Sequence, residues 1–274
     1  MRQIVMRMCS LVGVLVTVSW AAAEDRVSVR FSDPARPRLV KVSLINGNIT
    51  VKGYAGSEVI VEARAHEGGS HSETLPKKAQ GMKRLDNSKV GLSVEEADNV
   101  VSVGVGANER EIDLSVQVPM VTSLKLSSVD GGVTVEGVSG ELEIHAVDGD
   151  VRVSRVSGTV LANSVDGDIT VSLEKVDPAK PMSFSSVDGD IDVSFPTDLK
   201  ALVKIKADEG EVYTDFEIRI DPSAGKPIVE DGRGKGGLFR VLTDKTIVGT
   251  INGGGPEILF KTADGDIFIR RAGK

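Results

Sequence analysis

Cysteine is almost absent from this chain of 274 residues: there is one, Cys9, with one Trp, two Tyr and seven Phe. Cys9 and Trp20 both fall within residues 1–23. There Arg2 and Arg7 precede an apolar run from Leu11 to Trp20 and the small-residue sequence Ala21-Ala22-Ala23. This is the order of a secretory signal and its cleavage site, and the run is too short to span a membrane. Cys9 stands before the apolar run, so it does not read as a lipid-attachment cysteine. Cleavage after Ala23 leaves an exported chain of 251 residues without cysteine, and disulfides are excluded as its source of stability. The scarcity of aromatics suits a narrow core filled by Val, Ile and Leu. Lys and Arg then number 31 against 40 Asp and Glu, a net charge of −9, which argues against nucleic acid as a partner. No further run is long enough for a transmembrane segment.

What the chain has is a repeat. Ser128-Val-Asp-Gly-Gly-Val-Thr-Val135 recurs at residues 146–153, 164–171 and 186–193, with weaker copies at 44–51, 207–214 and 262–269. The glycines Gly131, Gly149, Gly167, Gly189 and Gly210 are 18, 18, 22 and 21 residues apart. Apolar residues stand seven and five positions before each glycine and two after it, as with Leu142, Ile144 and Val151 around Gly149. That period of two marks strands with one buried face, joined at Asp-Gly or Asn-Gly turns. Val138-Ser139-Gly140 and Val156-Ser157-Gly158 close the unit, and Gly53 and Gly56 occupy the same spacing in the first copy.

Asp-Gly between alternating runs also signals hairpins, so an antiparallel meander or a two-sheet sandwich fits the local pattern. A meander would need a cover for its apolar face, and the sequence offers no helix to supply it. A solenoid folds that face inward and stacks equivalent residues on one another. The expected fold is therefore all-β: a single β-solenoid domain over 24–274, with coils of about 18–22 residues. Leu142, Val160 and Met182 should touch. Two polar, glycine-rich stretches, near 66–89 and 217–238, interrupt the alternation. The first suggests a short helix around 77–85, and residues 66–83 or 217–238 are expected to fold over an open end of the stack.

The Val-Asp-Gly-Asp-Ile-Thr-Val repeat, the Gly249-Thr-Ile-Asn-Gly-Gly-Gly-Pro256 segment and the closing Gly265-Asp-Ile-Phe-Ile269 resemble the bacterial putative-adhesin family of uncharacterised β-repeat proteins. The resemblance covers roughly residues 38–270. It implies a cell-envelope β-solenoid with no defined activity, and it supplies no catalytic residue.

Candidate chemistry concentrates on the turns. Asp148 and Asp150, Asp166 and Asp168, Asp188 and Asp190, and Asp264 and Asp266 flank turn glycines. Stacking would bring them into columns about 5 Å apart, where a hard cation such as Ca²⁺ would find oxygen ligands. The expected role of these residues is nonetheless turn chemistry, each Asp capping a backbone amide. The glycine-rich nine-residue unit of known calcium-binding repeats is missing. His66 and His71 share a polar stretch with Glu67 and Glu73 but match no zinc spacing, and His145 reads as a surface residue on a strand. No serine lies in a Gly-x-Ser-x-Gly turn, and Gly232-Arg-Gly-Lys-Gly-Gly237 lacks the ending of a phosphate loop. The sequence thus points to a protein without catalytic residues or cofactor: an exported binding or structural module in the periplasm or at the cell surface. Its expected partner is an envelope protein or polysaccharide. A carbohydrate-active enzyme on the same scaffold and an envelope-stress sensor are the competing readings.

Overall fold

The computed structural model describes residues 24–66, 91–106, 111–222, 224, 228–231, 239–242 and 245–273. The signal-like segment, the expected helix near 77–85 and the Gly232–Gly237 loop lie outside the described residues. All regular structure among the described residues is β, and no helix there is long and apolar enough to cross a membrane.

Each repeat is one coil of a two-faced solenoid. Its first strand lies in face I, the Asp-Gly turn reverses the chain, and its second strand lies in face II. In face I, β2 (Leu39–Asn46), β8 (Ser123–Asp130), β10 (Ser139–Asp148), the second half of β11 (Val151–Asn163) and β13 (Met182–Ser185) pair in parallel. In face II the corresponding parallel row is β3 (Ile49–Tyr54), β9 (Val133–Glu136), the first half of β11, β12 (Ile169–Val176) and β14 (Ile191–Phe195). Leu142 pairs with Val160, and the register of Leu161 with Ser183 places Val160 beside Met182; all three are buried. The expected self-stacking is present. A meander is ruled out because the repeated strands run parallel.

Strand β11 crosses from face II to face I. Its corner residue Arg155 has φ 52°, the counterpart of Gly137 (φ 69°) in the preceding coil. Beyond β2 and β3 lies one more parallel layer, β6 (Val100–Val105) and β7 (Ile112–Pro119). Antiparallel strands then end the stack: β5 (Leu92–Ala97) on β6, β4 (Glu58–Ala65) on β7, and β1 (Glu24–Arg30) on the far edge of β4. Gly53 and Gly56 therefore lead into an antiparallel strand, unlike the closing glycines of the later coils.

At the other end, spatial order departs from chain order. Strands β15 (Ala201–Glu209) and β16 (Val212–Thr214) carry the sixth repeat, and β21 (Glu257–Asp264) and β22 (Ile267–Arg271) the last. Strand β21 pairs in parallel with both β13 and β15, and β22 with both β14 and β16. The last repeat is thus inserted between the fifth and the sixth. The connection explains how. From β16 the chain runs through β17 (Ile218–Ile220) to β20 (Ile247–Ile251), which pairs antiparallel with β17 and with the outer edge of β15. The turn at Asn252 (φ 48°), Gly253 (φ 87°) and Gly254 (φ 90°) then carries the chain across β15 to its inner edge. Asn252 Nδ2 donates to Leu199 O at 2.7 Å and fixes that crossing. Strands β18 (Ile228–Asp231) and β19 (Phe239–Leu242) form a separate hairpin.

The interior is mainly aliphatic, with single buried aromatics at Phe31 and Phe216 and one aromatic cluster. Phe184 stacks on Phe260 at 5.3 Å, and Phe195 meets both edge-on at 6.2 Å. All three are fully buried where the inserted repeat joins the array.

Exposed carboxylates tie down the first end. Hydrogen bonds from the Ser28 hydroxyl and then Arg30 hold the Glu58 carboxyl below the usual glutamate range. The Ser32 hydroxyl does the same for Glu96, helped by the amides of Ser32 and Asn99. A lowered folded pKa gives stability that is present above the unfolded value and is lost as pH falls through the folded one. Melting temperature should therefore decline from about pH 5 downward, and Glu58→Gln should flatten that decline. A thermal melt series in pH for both proteins measures it.

Candidate functional site

The Asp-Gly turns form one edge of the solenoid, and three columns of residues build it. The innermost holds hydroxyls. Ser128, Ser164, Ser186 and Thr262 are buried and point at turn carbonyls. Ser186 Oγ donates to Gly167 O at 3.2 Å, and Thr262 Oγ1 to Gly189 O at 3.2 Å, each reaching the adjacent coil. Ser128 instead serves Gly131 of its own coil at 2.9 Å, since the next coil has Ala146 in this position.

The second column is glycine. From Gly47 through Gly131, Gly149, Gly167, Gly189 and Gly265 to Gly210, every φ lies between 117° and 142°. Each glycine also lies flat on its neighbour: a Cβ on Gly167 would stand 2.5 Å from Gly149 O, and one on Gly265 would stand 2.3 Å from Gly189 O. Two constraints therefore coincide, a left-handed backbone and a contact with no room for a methyl group.

The third column is acidic. Asp150 Oδ1 accepts the amide of Asp168 at 3.0 Å, Asp168 Oδ1 that of Asp190 at 2.8 Å, and Asp190 Oδ1 that of Asp266 at 2.7 Å. Asp266 Oδ1 accepts the amide of Glu211 at 2.8 Å. Asn48 does the same for Gly132 at 2.9 Å, and Asp113 for Asn48 at 2.9 Å. The caps run between coils, so each carboxylate staples its turn to the next. Asp148, Asp166 and Asp188 stand exposed in a parallel row, bridged through their backbones. Asp168→Ala should cost about 0.5–1 kcal/mol in denaturant unfolding, whereas Asp168→Asn, which keeps an acceptor oxygen, should cost less than half of that.

Outside these columns the edge presents aliphatics to water. Ile45 (66% exposed), Val129 (45%), Val147 (46%), Val165 (48%) and Val187 (53%) stand on consecutive coils. They make a continuous ridge, with Asn46, Asp130, Asp148, Asp166 and Asp188 beside it. In sequence these valines look like part of the strand alternation. Their phase gives them away, because they fall one place after the last inward residue.

A family model, Toastrack DUF4097, matches residues 16–226. This chain belongs to the Toastrack DUF4097 family. The match stops short of β20, so the repeat inserted before β15 and β16 lies beyond the matched residues of the Toastrack chain. No curated protein matches the sequence. Among solved structures, a putative cell adhesion protein from Clostridium sporogenes is 11% identical, with 92% of this chain and 100% of that chain covered and a TM-score of 0.41. A putative adhesin from Bacteroides fragilis is also 11% identical, covering 92% and 98%, with a TM-score of 0.26. One from Parabacteroides merdae is 10% identical, covering 91% and 96%, with a TM-score of 0.27.

The histidines of the Toastrack chain are placed as follows. His145 is half-buried on β10 and bonds Glu143 at 2.9 Å. The Lys125 ammonium, then His145, holds the Glu143 carboxyl below its ordinary range. His66 Nδ1 lies 3.5 Å from Asp113 Oδ2 and 3.9 Å from Glu111 Oε1. Among the described residues this is the one group of three or more metal-ligating side chains whose donor atoms all lie within 4.8 Å. The pairing of β4 with β7 creates it, so no spacing in the sequence announces it. His71, Glu67 and Glu73 lie outside the described residues.

Proposed function

We propose that this Toastrack protein is a non-catalytic binding or structural module, exported to the cell envelope, whose partner docks along the turn edge of the solenoid. The observation that carries this reading is the aliphatic ridge. Five large apolar side chains exposed in one unbroken row are unusual on a soluble surface and mark a contact site. The neighbouring acids support a binding role over hydrolysis. They recur in coil after coil, and the second Asp of each Asp-Gly-Asp turn is engaged with a backbone amide. Retaining and inverting glycosidases instead need one isolated carboxylate pair across a groove. The charged start, apolar run and Ala21-Ala22-Ala23 support export. The partner belongs to the envelope, as a protein or a polysaccharide.

A pull-down from envelope extract tests this, using the wild-type chain and a Val147→Lys/Val165→Lys variant. Specific capture by the wild type that the variant loses supports the ridge. Equal capture by both, or none by either, contradicts it. Capture abolished by a chelator would show a need for a divalent cation and revive the Ca²⁺ reading of the turn carboxylates.

A further inference from the structure

The last two coils of the stack differ from the rest on their outer face. Along face II the outward column reads Thr50, Thr134, Arg152, Thr170, Asp192, Phe268, Tyr213. It changes from short polar or charged residues to two aromatics at the last two strands. The Tyr213 and Phe268 rings are parallel, 10° apart in plane, with centroids separated by 5.2 Å. Tyr213 is 46% exposed and is the one aromatic that stands exposed among the described residues. Strand β16 pairs with β22 alone, so among the described residues no strand flanks Tyr213 on its outer side.

Polar groups frame the rings. Arg270 lies over Phe268 at 5.1 Å and is held by both oxygens of Asp192, at 2.8 and 2.9 Å. The Tyr213 hydroxyl donates to Glu211. Tyr213, Thr214, Asp215, Phe268, Ile269 and Arg270 line one shallow depression. An unsupported aromatic pair at a sheet edge exposes apolar area without return. Rings beside carboxylates and a fixed guanidinium fit a flat ligand with an apolar C–H face and a rim of hydroxyls. The carboxylates accept hydroxyl hydrogens and the arginine donates to ring or carbonyl oxygens. Arg270 is the one cation among the described residues lining the depression and is already paired with Asp192, so it does not demand an anionic ligand.

From this geometry we infer that the β16–β22 end of face II is a saccharide-binding platform, on which a pyranose ring of a neutral glycan stacks against Tyr213. It goes beyond the ridge reading, lies on another surface, and holds or fails separately. The two tyrosines make the test direct, because Tyr54 sits among the first coils as an internal control. In the tyrosine-labelled full chain, a β-1,4-linked N-acetylglucosamine hexamer or cellohexaose should shift the Tyr213 ring resonances saturably and leave Tyr54 unmoved. Phe268→Leu, which keeps an apolar residue but removes the supporting ring, should weaken that binding roughly tenfold. Unchanged Tyr213 resonances up to about 10 mM of either sugar would overturn the inference, as would equal shifts at both tyrosines. Shifts that follow protein concentration and not sugar would also overturn it, assigning the open β16 edge to a second copy of the chain. Capture from envelope extract by Phe268→Leu at the wild-type level leaves the ridge reading standing whichever way the sugar titration falls.

Discussion

Gly167→Ala should destabilise the protein by about 3–5 kcal/mol, or leave no folded protein to measure. The methyl group meets both constraints at once. Gly167 has φ 142°, outside the range open to alanine, and its Cβ would lie 2.5 Å from the Gly149 carbonyl oxygen. That oxygen belongs to a backbone hydrogen-bonded to coils on both sides, so it has nowhere to retreat. Gly149 N donates to Asp166 O, and Gly167 N to Asp188 O, both at 2.9 Å. Amide exchange at these positions should accelerate well before the ends of the stack respond, since each coil is held by its neighbours. Gly104→Ala is the control. A Cβ there meets nothing within 4 Å, and the cost should stay within about 0.5 kcal/mol. A Gly167→Ala protein within 1 kcal/mol of wild type, by the same denaturant titration, would contradict the close stacking of turns.

Phe260→Ala should cost about 3–5 kcal/mol, with consequences concentrated at one end. The ring is fully buried, stacked on Phe184 and edge-on to Phe195, where aliphatic packing gives way to aromatic. Strands β21 and β22 hold β15 and β16 to the rest of the array, so loosening them should expose residues 201–222 to protease. Protection of that stretch in a destabilised Phe260→Ala protein would mean that β15 and β16 are anchored some other way.

The regular coils were legible because their chemistry is local. Val, Ile and Leu at period two, with glycine after Asp, specify a strand, a turn and a strand without reference to distant chain. Self-stacking of Leu142, Val160 and Met182 follows from that regularity. The order of the last two coils was not legible from spacing, because β21 lies on β13 across more than 70 residues of chain. A signal did exist in the quality of the copies. Residues 262–269 keep the buried hydroxyl, Asp-Gly-Asp and two inward isoleucines, as an interior coil must. Residues 207–214 have Ala207, Glu209 and Glu211, and end in Thr214, exposed where other coils bury Val or Ile. The degenerate copy is the terminal one, since an edge is released from half of the stacking constraints.

The acid columns were half legible. Capping by Asp follows from turn chemistry, but its direction, from one coil to the next, depends on a stacking offset that no single turn contains. The exposed valines and the Tyr213–Phe268 pair are hidden in the sequence for a related reason: alternation reports which residues point inward, and a turn shifts that phase. The histidine trio needs β4 to run antiparallel to β7, which is a property of the capping strands and not of the repeat.

The insertion of the final repeat can be read by disulfide trapping in a Cys9→Ser background, where no other thiol competes. Ser183 pairs with Leu259, and Leu259 with Lys204, so Ser183 and Lys204 stand two strands apart, roughly 10 Å, too far for an unstrained disulfide. Mild oxidation of Ser183→Cys/Leu259→Cys should close a disulfide in the folded protein, and Ser183→Cys/Lys204→Cys should stay reduced. The opposite result would put the sixth repeat directly on the fifth and contradict the architecture.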